Sequence, residues 1–311
     1  MIIRHDFPDI IWLKKQIKER FASPVKGKFD GPKGWPTVLL NVKSRASHRG
    51  GIKGPLSLFY NLNGQSRVSL ASKSVDLRPG FFFLTNASQV YDLDIPTSAE
   101  TFNIHFGEQF LEEILESFRF PQKLDQDWRI KGTPYHVYNR LYPENPLLHR
   151  LILAIQTREE EGFLDPLWLE EQLYNILCII LSISHKDFDN INQLPAMRTS
   201  SREEIFRRLS LAADLIYAHY DQALSLEELA QCSFFSKFHF LRLFKVAFGQ
   251  SPHQFITQVR IQKAKEWLEY TDWPIHLIAE SIGLENTSSF SRLFRQRTSM
   301  YPTTFRSMSR K

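Results

Sequence analysis

The chain has 311 residues, 42% of them hydrophobic and 23% charged, which points to a soluble protein of two domains and excludes wholesale disorder. Lys and Arg outnumber Asp and Glu by 39 to 34, and residues 202–311 hold 15 of the former against 11 of the latter, so the positive excess concentrates in the last third. The two cysteines, Cys178 and Cys232, exclude a disulfide framework and a cysteine zinc site, and suit a reducing, cytoplasmic compartment.

No apolar run with a small-residue cleavage site opens the chain, so no secretion signal is expected. Residues 8–21 predict an amphipathic helix behind Pro8. Residues 37–106 break into short β-runs: TVLLNVKS, LSLFYNL, RVSLASKSVDL, GFFFLTN, QVYDLDI and TFNIHF. Asn63-Gly64 predicts a hairpin turn and Pro79-Gly80 a second turn. Short strands at this spacing predict an antiparallel sandwich or barrel. Helical period returns at 107–118, at about 146–158 and at 164–184. In the last of these Leu169, Leu173, Ile176, Ile180 and Ile183 share a face, while Leu177, Ile179 and Leu181 make the opposite side apolar. Such a helix is either buried in a core or shared between two chains. Its most apolar stretch, 173–184, is short for a bilayer and carries Asn175 and Ser182, so no membrane partner is expected. Residues 185–202 lack periodicity, contain Pro195 and read as an exposed linker.

Eleven of the 13 Gly and 13 of the 16 Pro precede residue 200, so the remainder should be mostly helical. It also contains a repeat. Phe240, Arg242, Leu243, Phe244, Pro252 and Phe255 recur 50 positions later as Phe290, Arg292, Leu293, Phe294, Pro302 and Phe305, and Lys245 matches Arg295. Each copy reads as helix–turn–helix. In the first, Ser225 and Glu228 form a capping box, Leu226, Leu229 and Ala230 an inner face, and Ser236 caps a second helix. Phe240, Leu243, Phe244 and Ala247 on that helix should face the core, and Gly249 ends it left-handed. In the second copy Pro274 sits in the first turn, Ile275, Ile278, Ala279 and Ile282 face inward, Gly283 ends the helix and Asn286 caps the next. A helix from Pro252 to about Tyr270, capped by Ser251 and Gln254, joins the copies. At about 27 Å it suits two units spaced by roughly one DNA turn, about 34 Å.

The exposed side of each second helix carries the chemistry. The first offers Lys237, Phe238, Leu241, Arg242 and Lys245; the second offers Thr287, Ser288, Ser291, Arg292 and Arg295. Arginine matches guanine O6 and N7 in the major groove, Ser and Thr bond several base edges, and Phe238 and Leu241 suit thymine methyls. Lys237, Lys245 and Arg295 suit phosphates, as do the backbone N–H groups behind Ser236 and Asn286. A solvated charged face is the plain alternative, and a protein module binding an acidic partner is another.

Residues 205–306 resemble the DNA-binding domain of the AraC/XylS family of bacterial transcription regulators. The likeness rests on Ile216 and Tyr220, LSLEELA from Leu224, SKFHFLRLFK from Ser236, Gly249, SPHQF from Ser251, RIQKA from Arg260, IHLIAESIGLENTSSFSRLFR from Ile275 and PTTFR from Pro302. It covers about a third of the chain. It implies that the second helices enter adjacent major grooves of promoter or operator DNA, with base contacts from Phe238, Leu241, Arg242, Thr287, Ser288 and Arg292. It leaves RNA polymerase open as a further partner. Four places depart from the family pattern: Phe234 stands where Gly is frequent, Leu284 replaces Phe, Thr298-Ser299 replaces Phe-Gly, and Tyr301 replaces a capping Ser or Thr. A non-Gly residue held left-handed costs about 1–2 kcal/mol.

The run VDLRPGFFFLTN from Val75, with TFNIHFGEQFLEEIL from Thr101, more loosely resembles the cupin-like sensor domains of that family, which implies a small-molecule effector and a homodimer formed through adjacent helices. Phe59, Phe81, Phe83, Tyr91, Phe102 and His105 either line a ligand cavity or fill a plain core. Over 37–106 the only histidines are His48 and His105, so no metal site, no cofactor and no catalysis are expected. The expected fold is multidomain α+β. It comprises a cupin-like antiparallel β-barrel with helices over 1–144, dimerisation helices over 145–184, the linker over 185–202, and an all-α domain over 203–311 with two helix–turn–helix units joined by a long helix.

Overall fold

The computed structural model describes residues 1–7, 34–71, 73–87, 89–119, 136–196 and 198–309; the helix expected at 8–21 lies outside them. The chain forms two compact units, Met1–Asp187 and Phe188–Lys311.

The first unit is an eight-stranded sheet with helices on one face. Its strands are β1 (Ile2–Arg4), β2 (Val38–Lys53), β3 (Ser57–Gly64), β4 (Ser66–Leu70), β5 (Lys73–Leu77), β6 (Phe81–Thr85), β7 (Val90–His105) and β8 (Leu141–Pro143). Pairing runs β1-β2-β7-β3-β6-β8, with β4 joining β5 to β7. The expectation of a purely antiparallel sheet is corrected: β1 runs parallel to β2, which makes the sheet mixed. Among the described residues the pairing path ends at β1 and β8. Two runs taken as separate strands, QVYDLDI and TFNIHF, are one strand of 16 residues. Pro96 and Thr97 sit in a register shift opposite Ala46, where a residue without an N–H disrupts no ladder bond.

The hairpin expected at Asn63-Gly64 is absent. β3 and β4 both pair with β7, one after the other, and Gly64 is the bend between them. Its φ is 74°, and a Cβ there would come within 2.2 Å of the Ser98 carbonyl oxygen, so glycine is required twice over. The turn at Pro79-Gly80 is present, with Gly80 at φ 84°.

Side-chain alternation divides the sheet into two apolar faces. Leu39, Leu58, Tyr60, Phe82, Phe102 and Ile104 pack under α1 (Glu108–Arg119), α2 (Pro146–Glu160) and α3 (Pro166–Asn192). Asn145 caps α2 by accepting from the N–H groups of Leu147 and Leu148, with Pro146 at its first position. Leu169, Leu173, Ile176, Leu177 and Ile180 of α3 are all buried in this core.

The linker expected at 185–202 is mostly helix. α3 continues to Asn192, and α4 begins at Thr199. Residues 187, 191 and 194 carry the helical spacing into this stretch, but the first of them is a buried aspartate, which hides the period. Asp187 receives Arg140 Nε and Nη2 at 3.2 and 2.7 Å and the Tyr142 hydroxyl at 2.8 Å. Burial pushes the Tyr142 phenol well above its ordinary pKa, so it stays a donor. At 27 residues α3 has the length and composition to cross a membrane, unlike the short stretch read from sequence. Leu169, Leu173, Ile176, Leu177 and Ile180 of it pack in the sheet core.

The second unit is helical: α4 (Thr199–His219), α5 (Leu226–Cys232), α6 (Lys237–Phe248), α7 (Pro252–Tyr270), α8 (Ile275–Ser281), α9 (Thr287–Thr298) and α10 (Pro302–Ser309). Arg260 of α7 donates to the carbonyls of Tyr220 and Gln222 at 2.7 and 2.9 Å, tying the central helix to the segment before α5.

Removing one partner of a buried ion pair strands the other, at about 3–5 kcal/mol. Asp187→Ala should therefore lower the unfolding free energy of the first unit by about that amount, read from its urea transition.

Candidate nucleic-acid interface

Each helix–turn–helix is built from the same parts. Ser225 and Glu228 close a capping box at α5, and Ser251 and Gln254 do so at α7. Leu229 and Ala230, and then Ile278 and Ala279, are the buried positions of α5 and α8. After α5 the Phe235 N–H reaches the Ala230 carbonyl at 3.0 Å and the Phe234 N–H reaches Gln231 at 2.9 Å. After α8, Leu284 and Gly283 repeat these bonds to Ala279 and Glu280, each at 2.9 Å. Both turns are thus Schellman closures with a left-handed residue: Phe234 at φ 57° and Gly283 at φ 74°. Ala230 precedes Phe240 by ten positions and Ala279 precedes Phe290 by eleven, so the second turn holds one more residue. Gly283 is constrained further, because a Cβ would meet the Asp221 carbonyl oxygen at 2.2 Å.

The second helices bury one face and expose the other. Phe240, Leu243, Phe244 and Ala247 of α6 are buried, as are Phe290 and Phe294 of α9, while Leu293 is only half-buried. Lys237, Phe238, Arg242 and Lys245 are exposed, and Leu241 is partly so; Phe238 has 80% of its surface in solvent. On α9 Ser288, Arg292 and Arg295 are exposed, with Thr287 and Ser291 partly so. Arg242, Lys245 and Arg292 have no hydrogen bond or ion pair with the described residues. Sequence reasoning passed over His239, Ser289, Gln296 and Arg297, which are exposed on the same two helices. Their signal was simply adjacency to the positions chosen.

Three of the expected phosphate contacts are already engaged. Lys237 pairs with Glu227 of α5 and holds that carboxyl below its usual pKa. Arg295 donates to the Tyr301 hydroxyl and lies 4.7 Å from the centre of its ring, so the tyrosine at the departure from the family pattern holds this guanidinium. The N–H groups of Ser288 and Ser289 are taken by the Asn286 side chain at 2.8 and 3.3 Å. Ser236 occupies the N-cap of α6 but makes no side-chain capping bond, so its hydroxyl does not take up the first-turn N–H groups of α6. Pro274 is itself the N-cap of α8, one place earlier than expected. Along α4, Glu204 takes up Arg207 and Arg208, whose hydrogen bonds lower its pKa to about 2.

The helix-turn-helix domain model matches residues 229–308, from within α5 to within α10. The chain carries an AraC-type helix-turn-helix domain and is a DNA-binding transcription regulator. It is similar to the probable transcriptional regulator LumQ of Photobacterium leiognathi, 26% identical over 80% of this chain and 88% of that one. The MmsAB operon regulatory protein of Pseudomonas aeruginosa is 30% identical over 53% of this chain, which spans only 52% of that relative. Among solved structures, the C-terminal domain of AraT, a response regulator from Geobacillus stearothermophilus, is 33% identical, covers 33% of this chain and 84% of its own, and superposes with a TM-score of 0.31.

The first unit holds a second candidate site, a cavity of about 380 Å³ on the sheet face away from the helices. Of the residues expected to line it, Phe59, Tyr91 and His105 do. Phe102 is corrected to the helix-covered core, because it alternates with Asn103 and His105 along β7. Phe83 backs Phe59 at 6.4 Å between ring centres, and Phe81 stands opposite Pro143 near the sheet edge; neither reaches the cavity wall. Sequence reasoning missed Val38, Leu40, Leu93 and Asn103, which do reach it.

Ser299 ends α9 at φ 63°, where Gly249 ends α6 at φ 72°. Ser299→Gly should raise the stability of the second unit by about 1 kcal/mol. Gly249→Ala should lower it by a similar amount, since nothing lies within 4 Å of the added methyl and the cost is conformational alone. Urea midpoints of the two variants check both signs.

Proposed function

We propose that this regulator reads operator DNA with α6 and α9 in successive major grooves, as a homodimer whose affinity for DNA is set by a small molecule in the cavity of the first unit. The observation that carries the DNA reading is the repeated arginine: Arg242 and Arg292 hold equivalent places on the two second helices, exposed and without a protein partner among the described residues. A guanidinium left unpaired by its own protein is available for the bidentate contact with guanine. The 19 residues of α7 span about 28 Å, a spacer commensurate with one DNA turn of about 34 Å. Lys245 and the first turn of α6 supply backbone contacts to phosphate.

The dimer reading rests on apolar surface near α2 and α3. Leu147 is 54% exposed, and Phe163 and Leu167 are each 77% exposed. Covering such side chains against a second copy removes them from water and gives four recognition helices per dimer, with the gain in avidity that linkage brings.

Two outcomes test these readings. Arg292→Ala should cost about 1–3 kcal/mol at one base position and relax specificity there, while Lys245→Ala should weaken all sequences alike and flatten the salt dependence; competition binding over a library of operator variants separates the two. Leu167→Glu should shift the sedimenting species from dimer to monomer at micromolar concentration, and an unchanged dimer would move the interface elsewhere.

A further inference from the structure

We propose that the cavity takes a largely apolar molecule bearing a hydroxyl group, and that this hydroxyl donates its proton to Nε2 of His105. The inference rests on the ligand-responsive reading above and names the chemistry of the ligand.

The walls set the body of the molecule. Val38, Leu40, Phe59 and Leu93 supply apolar surface in a space of about 380 Å³, enough for a bicyclic or short-chain compound. Its polar lining includes Tyr91, Asn103 and His105, together with the exposed His48 and Arg49. Tyr91 and Asn103 are only 3% and 2% exposed. The Tyr91 hydroxyl has no partner among the described residues, and burial pushes its pKa up, so it remains a neutral hydroxyl.

The proton on His105 follows from its neighbours. Burial lowers the pKa of His105 to about 4, so the ring is neutral near pH 7 and carries one N–H. Ser57 Oγ lies 2.9 Å from the Pro55 carbonyl oxygen and 2.8 Å from His105 Nδ1. The serine has a single hydrogen. Given to Nδ1, it would leave two oxygens at 2.9 Å facing each other lone pair to lone pair. Given to the carbonyl, it leaves the serine oxygen free to accept from Nδ1–H, and every group is satisfied. The proton therefore sits on Nδ1, and Nε2 is a bare acceptor without a partner among the described residues.

A hydroxyl on the ligand supplies the donor that this nitrogen accepts where it faces the cavity. Asn103 adds the complementary element. Its Oδ1 accepts from the Tyr60 N–H at 3.4 Å, which leaves Nδ2 as the free donor. Two residues apart on β7, Asn103 and His105 point to the same face. A hydroxyl can give to one and accept from the other. A carboxylate cannot: it has no proton for Nε2 and would lose hydration against apolar walls. Its natural alternative is Arg49, an exposed cation that also lines the cavity and donates to the His48 carbonyl at 2.9 Å.

Calorimetric titration of the full chain with 2-naphthol, 2-methoxynaphthalene and 2-naphthoate tests the assignment. The expected result is that 2-naphthol binds about tenfold tighter than the methyl ether, which is about 1.4 kcal/mol, and that His105→Leu brings the two within about twofold. If His105→Leu fails to fold, Ser57→Ala keeps the imidazole but releases its tautomer, and must shrink the same preference. Equal binding of naphthol and ether, or tightest binding by the naphthoate, overturns the hydroxyl assignment and leaves the sensor role standing. Absence of binding by all three overturns both.

Discussion

The recognition surface depends on phenylalanine burial. Phe240 and Phe244 on one helix, and Phe290 and Phe294 on the other, are wholly buried one turn apart, with ring centres 5.2 and 5.6 Å from each other. Each such side chain contributes about 1.5–3 kcal/mol on leaving water. With that stripe held in the core, the opposite side of the helix faces solvent, and Arg242 and Arg292 have nowhere else to go. Arg242 and Arg292 need no internal partner because the apolar side does the fastening.

The two copies share this plan but not its strength. In the first, Phe244 and Phe248 both pack on Phe255, and Phe206 and Tyr217 extend the cluster. In the second, the counterpart of Phe248 is Thr298, whose hydroxyl turns back to the Phe294 carbonyl at 2.8 Å, and Phe305 joins the pair. The same end of the helix carries a left-handed serine and the Arg295–Tyr301 contact. The first helix–turn–helix is the better-packed anchor, and the second trades aromatic packing for polar bonds made within its own turn.

The sheet domain solves a different problem. Its strands bury both faces, one under helices and one around a cavity, and the two-residue period of β7 sends Phe102 and Ile104 to the first and Asn103 and His105 to the second. A cavity wall built from alternate residues of one long strand can be polar at two points without disturbing the core behind it. The Arg140–Asp187–Tyr142 group performs the complementary task at the far end of α3, where a charged pair replaces apolar packing.

Much of the helical unit was written in local sequence. The 50-residue repeat, the capping boxes at Ser225 and Ser251, the left-handed Gly249 and Gly283 and the inward Phe stripes all follow from rules that act within a few residues. The family likeness of that unit was legible for the same reason. What only the tertiary structure decided involves partners distant in sequence. Gly64 is a bend because of Ser98, α3 runs on through a buried Asp187 because Arg140 meets it, and the proton of His105 is placed by Ser57 and Pro55. Likewise Lys237 and Arg295 looked like free cations until Glu227 and Tyr301 were brought beside them. Hydrophobic period and capping are properties of one segment; strand pairing, buried charge and proton position exist only once segments meet.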